Sequence, residues 1–178
     1  VVDDYMMTSD ENIYAVGDVV EVENYINRSK TMIPLAGPAN KQGRIVADNI
    51  CGANIKYNGT QGTSVAKVFD LTVSSTGCNE KILKKLGKKC GKDYLVTHAH
   101  PKNHAGYYPG ACQLNMKLIF APKDGKIIGA QVIGLDGVEK RIDVIATAIR
   151  FGGTVFDLTE LELAYAPPYG SAKDPVNM

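Results

Sequence analysis

The chain has 178 residues, of which 44% are hydrophobic, and this is enough to bury the core of one large domain or two small ones. Its 20 Lys and Arg residues nearly balance 19 Asp and Glu residues, and the net charge of +1 argues against nucleic acid or an anionic membrane surface as the main partner. No apolar stretch approaches the length of about 20 residues that spans a bilayer, so we expect a soluble, cytoplasmic protein without a membrane partner.

The first fifty residues have the pattern of an α/β protein. The apolar run at residues 12–16 predicts a short strand buried on both faces, and the Gly-Asp dipeptide after it ends the strand. Residues 39–51 predict a helix, because Pro38 suits a first helical turn and Gly52 suits the position after the last one. The small and apolar face of this helix would consist of Ala39, Gly43, Val46, Ala47 and Ile50.

A polar, Gly-rich stretch at residues 54–63 separates this region from a second one with a different pattern. Apolar runs in the second region predict strands, the first of them a single strand or a bent pair, at residues 64–75, 94–99, 114–121 and 127–133. Helices are predicted at residues 79–86 and 138–151. We therefore expect an α+β fold in which helices pack on an antiparallel sheet, preceded by a βα segment of an α/β domain.

Asp18 follows the first predicted strand, at the edge where open α/β sheets bind ligands and where a carboxylate accepts hydrogen bonds from sugar or ribityl hydroxyls. The alternative is a turn aspartate that caps the next segment. Residues 34–38 also allow two interpretations, since a helix start offers N–H groups to an electron-rich ligand, yet every helix has such a start. The residue types alone leave both questions open.

Two segments are more specific together than either is alone: residues 8–18 (TSDENIYAVGD) and residues 33–44 (IPLAGPANKQGR). They resemble the second flavin-binding segment of the FAD-dependent pyridine nucleotide-disulfide oxidoreductases. The tail at residues 164–178 (AYAPPYGSAKDPVNM) resembles the dimerisation domain of coenzyme A-disulfide reductases and related NADH oxidases, as do residues 104–110 and 137–143. The resemblance covers nearly the whole chain, but only the last third or so of a full-length family member.

The resemblance implies that residues 1–58 are the incomplete carboxyl-terminal segment of an FAD-binding domain. Asp18 would bind the ribityl or pyrophosphate portion of FAD. The helix start at Pro34, Leu35 and Ala36 would face the pyrimidine edge of the flavin. The full-length parent would use FAD and NAD(P)H, whereas we expect the fragment itself to bind neither.

The resemblance also implies that residues 62–178 form the dimerisation domain of a homodimer. Family members use two tyrosines of this domain, here Tyr107 and Tyr165, to position a disulfide substrate in the partner subunit's active site. A phenol suits this role because its pKa of about 10 keeps it protonated and able to hydrogen-bond a developing thiolate. The alternatives are that both are packing aromatics with satisfied hydroxyls, or that the adjacent Tyr108 and Tyr169 take the roles instead.

The chain lacks the Gly-rich dinucleotide loop of the family, and none of its four cysteines lies in the family's catalytic context. We therefore expect the fragment to be inactive by itself and to act mainly in homodimerisation. The tail also lacks the His-Pro and Glu pattern of glutathione reductase-type enzymes, which favours the coenzyme A-disulfide branch. Cys78 precedes a Lys-rich helix and is interpreted as a surface thiol without a role, with a reactive thiol as the alternative.

The preferred interpretation is a fragment of a flavin-dependent NAD(P)H:disulfide oxidoreductase that acts on coenzyme A disulfide or a related low-molecular-weight disulfide. The alternatives are a fragment of an NADH oxidase or peroxidase that reduces oxygen or peroxide, and a non-catalytic dimerisation module. We expect no metal site at His98, His100 and His104, because no carboxylate or Cys close in sequence completes a tetrahedral set. Lys140 and Arg141 are interpreted as a solvated face or a dimer-contact ion pair, with coenzyme A phosphate binding as the alternative.

Overall fold

The computed structural model describes all residues from Val1 to Met178. The chain divides into two compact units, Val1–Gly62 and Thr63–Met178. This division lies at the end of the polar, Gly-rich stretch of the sequence. None of the helices is long and apolar enough to cross a membrane.

The first unit is built around one long helix and a small hairpin. Helix α1 covers Ala36–Ile50, and the strands β1 (Val22–Glu23) and β2 (Lys30–Thr31) pair antiparallel. A short 3-10 helix at Gly17–Val19 precedes the hairpin. These elements enclose an apolar core that contains Val2, Met6, Val20, Val22, Ile45 and Tyr57.

The predicted strand at residues 12–16 is wrong. Tyr14 forms a single antiparallel bridge with Met7, and Ile13 and Val16 are exposed. A strand needs a neighbour along its length to satisfy its backbone N–H and C=O groups. No strand of the first unit pairs with these residues beyond that one bridge, so the apolar run does not form a regular strand.

Helix α1 begins about one turn earlier than predicted, so Pro38 lies in its first turn, where the missing N–H leaves no hydrogen bond unmade. Its buried side chains are Gln42 and Ile45, whereas Ile50 on the predicted apolar face is exposed. Gln42 is buried because its Oε1 atom accepts a hydrogen bond of 2.7 Å from the Gly17 N–H. The predicted face is confirmed at Val46, which packs against the core, and is wrong at Ala47 and Ile50, which are exposed. It also omits Gln42, because the helical periodicity does not reveal this polar contact.

The second unit contains a five-stranded sheet. Its strands are β3 Ser64–Val68, β4 Leu71–Gly77, β5 Leu95–Ala99, β6 Leu114–Phe120 and β7 Ile127–Gly134. The strand order is β3-β4-β7-β6-β5, and every neighbouring pair is antiparallel. The predicted α+β fold with an antiparallel sheet is confirmed. The first predicted run is a pair of strands because Phe69, with φ of 52°, turns the chain between them.

The longest helix of the second unit, α3 (Val138–Arg150), packs across β4 and β7. Residues at helical spacing form its buried apolar stripe, in agreement with the sequence pattern: Val138, Ile142, Ile145 and Ile149. Packing of this stripe on the sheet fixes the position of α3, and Lys140 and Arg141 lie in the first turn of this helix.

Two shorter helices begin with hydrogen-bonded caps. Helix α2 (Glu80–Lys85) is capped by the Asn79 side chain. Helix α4 (Val155–Glu160) is missing from the predicted elements, although Thr154 and Asp157 form a complete capping box. Hydrogen bonds from Thr154 hold the pKa of the Asp157 carboxyl below its usual range. The spacing of these two residues was the sequence signal for this helix.

An ion pair joins α2 to the sheet, because the Lys117 ammonium donates a hydrogen bond to the Glu80 carboxylate. This bond holds the pKa of Glu80 below its usual range. Its stabilisation is therefore present above the ordinary Glu value of about 4.3 and is lost as the pH falls through the lower pKa of the folded state. In urea unfolding, we expect Glu80→Gln to reduce the free energy of unfolding more at pH 7 than at pH 3.

The Lys117→Met variant removes the other partner and provides a check on this explanation. This variant is expected to lose the same pH-dependent part of the stability, because no ammonium group on β6 then donates a hydrogen bond to Glu80. An equal loss at both pH values in Glu80→Gln would contradict the ion-pair explanation.

Candidate functional site

Two tyrosines that are distant in the sequence meet at the surface of the second unit. Tyr107 lies in the loop between β5 and β6, and Tyr165 lies in the chain after α4. Their hydroxyl oxygens are 3.3 Å apart, which is within hydrogen-bonding distance. Tyr107 is 78% exposed and Tyr165 is 47% exposed. The two tyrosines implied by the family resemblance are thus neighbours, and neither ring is packed inside a core.

The hydrogen bond with Tyr107 raises the pKa of Tyr165 above its usual range, and desolvation adds to the effect. Since the ordinary value is about 10, Tyr165 carries its proton at neutral pH. A protonated phenol is uncharged and donates one hydrogen bond, so it does not repel an approaching thiolate. The pair can therefore stabilise negative charge that develops on a sulfur atom beside it.

The two adjacent tyrosines differ from this pair. The ring of Tyr108 meets the ring of His104 edge to face, with centroids 5.7 Å apart. Tyr169 is exposed, and neither its hydroxyl nor that of Tyr108 bonds another residue of the chain. Of the four candidate tyrosines, Tyr107 and Tyr165 are the two whose hydroxyls interact with each other.

An open groove of about 320 Å³ lies beside Tyr165. Its lining consists of Lys140, Ala164, Tyr165, Ala166 and Tyr169. Lys140 is the one charged residue in this lining, and it makes no ion pair within the chain. The groove therefore combines aromatic and apolar surface with a free cation.

The interpretation of Arg141 as a solvated or dimer-contact residue is wrong. Its side chain is buried, and its Nη2 atom donates to Asp174 Oδ2 over 2.9 Å. A buried arginine is not distinguishable from an exposed one in the helical pattern of α3. Its partner lies 33 residues away, beyond any local sequence signal. Sequence reasoning therefore missed this pair.

The residues implied in flavin binding all lie in the first unit. Asp18 belongs to the 3-10 helix at Gly17–Val19, and its carboxylate is exposed and makes no hydrogen bond or ion pair. Pro34 and Ala36 are exposed at the start of α1, and Leu35 is the N-cap residue without a side-chain capping bond. The first N–H groups of α1 are therefore free to donate to a ligand.

The turn that carries Asp18 is connected to α1 by the hydrogen bond from the Gly17 N–H to Gln42 Oε1. Gly17 has φ of 80°, a conformation that favours glycine. A free carboxylate and uncapped N–H groups are the acceptor and donors that ribityl hydroxyls and pyrimidine carbonyls require. The residues present in this unit thus fit the part of FAD that the resemblance implies.

The three histidines do not form a cluster. His98 and His100 are exposed, and His100 Nδ1 pairs with Asn115 Oδ1 over 2.7 Å, whereas His104 is buried. No group of three His, Cys, Asp or Glu side chains is arranged to hold a metal ion. The expectation of a surface thiol at Cys78 is wrong, because this side chain is buried next to the start of α2.

Comparison with known families matches residues 63–175 to the dimerisation domain of the pyridine nucleotide-disulphide oxidoreductases. Among curated proteins, the coenzyme A disulfide reductase of Staphylococcus epidermidis is 37% identical over 172 residues, which are 96% of this chain and 38% of that protein. The chain therefore spans less than half the length of the curated reductase it matches.

Three solved structures are also similar. Reduced CoADR-RHD of Bacillus anthracis has a TM-score of 0.93 and 58% identity, covering 99% of this chain and 31% of that one. The NAD-dependent persulfide reductase of A. fulgidus has a TM-score of 0.92 and 45% identity, covering 99% and 32%. The water-forming NADH oxidase of Lactobacillus brevis has a TM-score of 0.90 and 26% identity, covering 99% and 38%. The similarity thus includes both units.

Proposed function

Because this chain belongs to the pyridine nucleotide-disulphide oxidoreductase family through its dimerisation domain, we propose that it is the carboxyl-terminal part of a flavin-dependent NAD(P)H:disulfide oxidoreductase of the coenzyme A-disulfide reductase type. The first unit is the end of an FAD-binding domain, and the second unit is the dimerisation domain. The reaction consumes one disulfide, one NAD(P)H and one proton, and it yields two thiols and NAD(P)⁺. The similarity to coenzyme A disulfide reductase over 96% of the chain supports this assignment.

The observation that carries this proposal is the hydrogen bond between Tyr107 and Tyr165. When a thiolate attacks a disulfide, a second thiolate leaves, and its charge is stabilised by a hydrogen-bond donor. Tyr165 carries its proton at neutral pH because the ordinary pKa of a phenol is about 10, and when its hydroxyl turns from Tyr107 to the substrate it donates to the leaving sulfur. The adjacent groove accommodates the rest of the thiol, and Lys140 pairs with an anionic group on it.

The first unit contributes to binding of the cofactor. When bound, FAD supplies the two-electron chemistry that links NAD(P)H to the disulfide. Asp18 accepts hydrogen bonds from ribityl hydroxyls, and the free N–H groups of Ala36 and Gly37 donate to carbonyl oxygens at the pyrimidine edge. Pro34 and Leu35 lead the chain into this helix start.

The isolated chain is expected not to bind FAD in a one-to-one complex at micromolar concentrations. Its first unit offers one carboxylate and a few N–H groups to the flavin, and these few hydrogen bonds do not offset the cost of association. Equilibrium dialysis and quenching of flavin fluorescence measure this directly. Tight stoichiometric binding would show that the FAD site is more complete within these residues than we propose.

The surface proposed for homodimerisation is an open groove of about 580 Å³ between α3, α4 and the chain that follows. Phe151 lines this groove and is 86% exposed. An exposed aromatic side chain beside an apolar groove is typical of a protein interface. Leu161 and Leu163 also line the groove and lead directly to Tyr165, so a second copy seated there lies beside the segment that carries this tyrosine.

The experiment that tests the function is a steady-state assay of the complete protein that carries this chain, with NADH and NADPH offered in turn. We expect oxidation of NAD(P)H to depend on coenzyme A disulfide. Oxygen and hydrogen peroxide test the oxidase alternative, and a thiol persulfide tests the reaction for which the A. fulgidus structure is named. Faster turnover with oxygen or peroxide would replace this proposal, and no turnover with any acceptor would favour a non-catalytic dimerisation module.

A further inference from the structure

We propose that Arg141 is the positioning residue of the tyrosine pair: its buried ion pair with Asp174 holds the loop that carries Tyr107 against the segment that carries Tyr165. The inference deepens the proposed function and rests on it for the role of the two hydroxyls. Arg141 touches neither of these hydroxyls, so its effect on the pair is indirect.

The guanidinium of Arg141 connects both tyrosine-bearing segments. Its Nη2 atom donates to Asp174 Oδ2 over 2.9 Å and to the carbonyl oxygen of Asn103 over 2.6 Å. Asn103 precedes Tyr107 in the same loop, and Asp174 follows Tyr165 in the same segment. A single group on the stably packed helix α3 therefore binds both tyrosine-bearing segments.

Gly137 leaves space that this arrangement needs, and Gly170 adds a backbone contact to it. A Cβ atom on Gly137 would overlap Arg141 Nη1, which donates to the Gly137 carbonyl over 3.0 Å. Gly170 lies beside the ion pair, since a Cβ atom there would be 3.6 Å from Asp174 Oδ2. The Gly170 carbonyl accepts a hydrogen bond of 2.8 Å from the Ala105 N–H, which joins the two segments a second time.

The hydrogen bond between the phenols does not hold the two segments together by itself, because water competes for both exposed hydroxyls. The side chains of Arg141 and Asp174, by contrast, are 2% and 5% exposed. Charge-assisted hydrogen bonds in such a water-excluded site are shorter and stronger than neutral ones. The planar fork of arginine also directs several donors at once, which a lysine ammonium on a flexible stem does not do.

Photo-oxidative dityrosine formation at neutral pH tests this proposal on the 178-residue chain. Coupling requires that two tyrosine rings are held close together. Trypsin releases Tyr107 in the peptide 103–117 and Tyr165 in the peptide 151–173. A Tyr108→Phe, Tyr169→Phe background leaves one tyrosine in each peptide. Mixing ¹⁵N-labelled and unlabelled chains separates products formed within one chain from products formed between chains.

In the Tyr108→Phe, Tyr169→Phe chain we expect a clear intrachain product. Adding Arg141→Lys is expected to lower the yield of this product to the level measured when Tyr165→Phe is added instead. Circular dichroism and urea unfolding establish that the lysine variant is folded. If it is not folded, Asp174→Glu displaces the carboxylate by one methylene group and is expected to give the same loss. Thr154→Ala removes the cap of α4 and is the matched control, since it lowers stability without touching the ion pair.

A folded Arg141→Lys chain with the unsubstituted yield would overturn the inference. A loss of yield in Thr154→Ala as large as in Arg141→Lys would overturn it too, because the yield would then follow stability alone. If the Tyr108→Phe, Tyr169→Phe chain gives no more product than the Tyr165→Phe variant, the tyrosine pair itself is not held in solution, and the inference is overturned. None of these outcomes depends on reductase activity, so failure of the proposed function is recognised separately in the steady-state assay.

Discussion

Replacing Tyr165 by phenylalanine in the complete enzyme is expected to lower kcat for coenzyme A disulfide by about 10²–10³-fold, the loss typical of removing one preorganised hydrogen-bond donor. The substitution deletes the hydroxyl that donates to the leaving thiolate and keeps the ring. Tyr107→Phe is expected to act in the same direction but more weakly, because it removes the partner of the Tyr165 hydroxyl. Steady-state kinetics with varied disulfide separate kcat from KM.

Tyr108 provides a matched control for this experiment. Tyr108→Phe makes the same chemical change next to Tyr107, but Tyr108 lies outside the groove beside Tyr165, and its hydroxyl bonds no other residue of the chain. We expect this variant to retain a kcat close to that of the unsubstituted enzyme. A large loss of kcat in Tyr108→Phe, with Tyr165→Phe unaffected, would contradict the proposal, because the role would then belong to a different tyrosine.

Replacing Phe151 by glutamate is expected to weaken self-association of the chain by about 30-fold or more in Kd, which corresponds to the loss of at least about 2 kcal/mol at an aromatic hot spot. Phe151 is exposed in the apolar groove proposed as the homodimer surface, and a carboxylate there must be desolvated when a second copy covers it. Sedimentation equilibrium measures the association. The unsubstituted chain is expected to be dimeric at tens of micromolar.

Phe69 allows a matched control for this substitution. It is 93% exposed, at the turn between β3 and β4, and lies outside the groove. Phe69→Glu therefore introduces the same charge and removes the same ring without disturbing the proposed surface, and we expect its dimer to be as stable as that of the unsubstituted chain. Dissociation by Phe69→Glu alone would move the interface to the β3–β4 edge of the sheet. A monomeric unsubstituted chain would contradict self-association altogether.

The sequence predicted the second unit better than the first. The apolar stripe of α3 and the runs that form β3 to β7 repeat at the helical and strand periods, and their partners are present in the same unit. The apolar run at residues 12–16 has the composition of a strand but no neighbouring strand to pair with. Periodicity predicts an element only where the rest of the fold supplies its hydrogen-bonding partner.

The candidate site could be predicted in part. The resemblance assigned the catalytic roles to Tyr107 and Tyr165, with the adjacent Tyr108 and Tyr169 as the alternatives. The structure adds that Tyr107 and Tyr165 are the two whose hydroxyls lie 3.3 Å apart, and their catalytic role stays a prediction. Arg141 was missed altogether, since a charged residue on a helix is usually solvated, and only packing shows that this one is buried.

The sequence by itself determined the family, the α+β fold with its antiparallel sheet, and the segments that carry the candidate tyrosines. The tertiary structure alone decided which tyrosines touch, which face of α1 is buried, and that Arg141 joins the tyrosine-bearing segments through Asp174. The physical reason is how far apart the contacting residues lie along the chain. Motifs and periodicities describe neighbours along the chain, whereas the partners in these contacts lie 25, 33 and 58 residues apart and meet only after the core has packed.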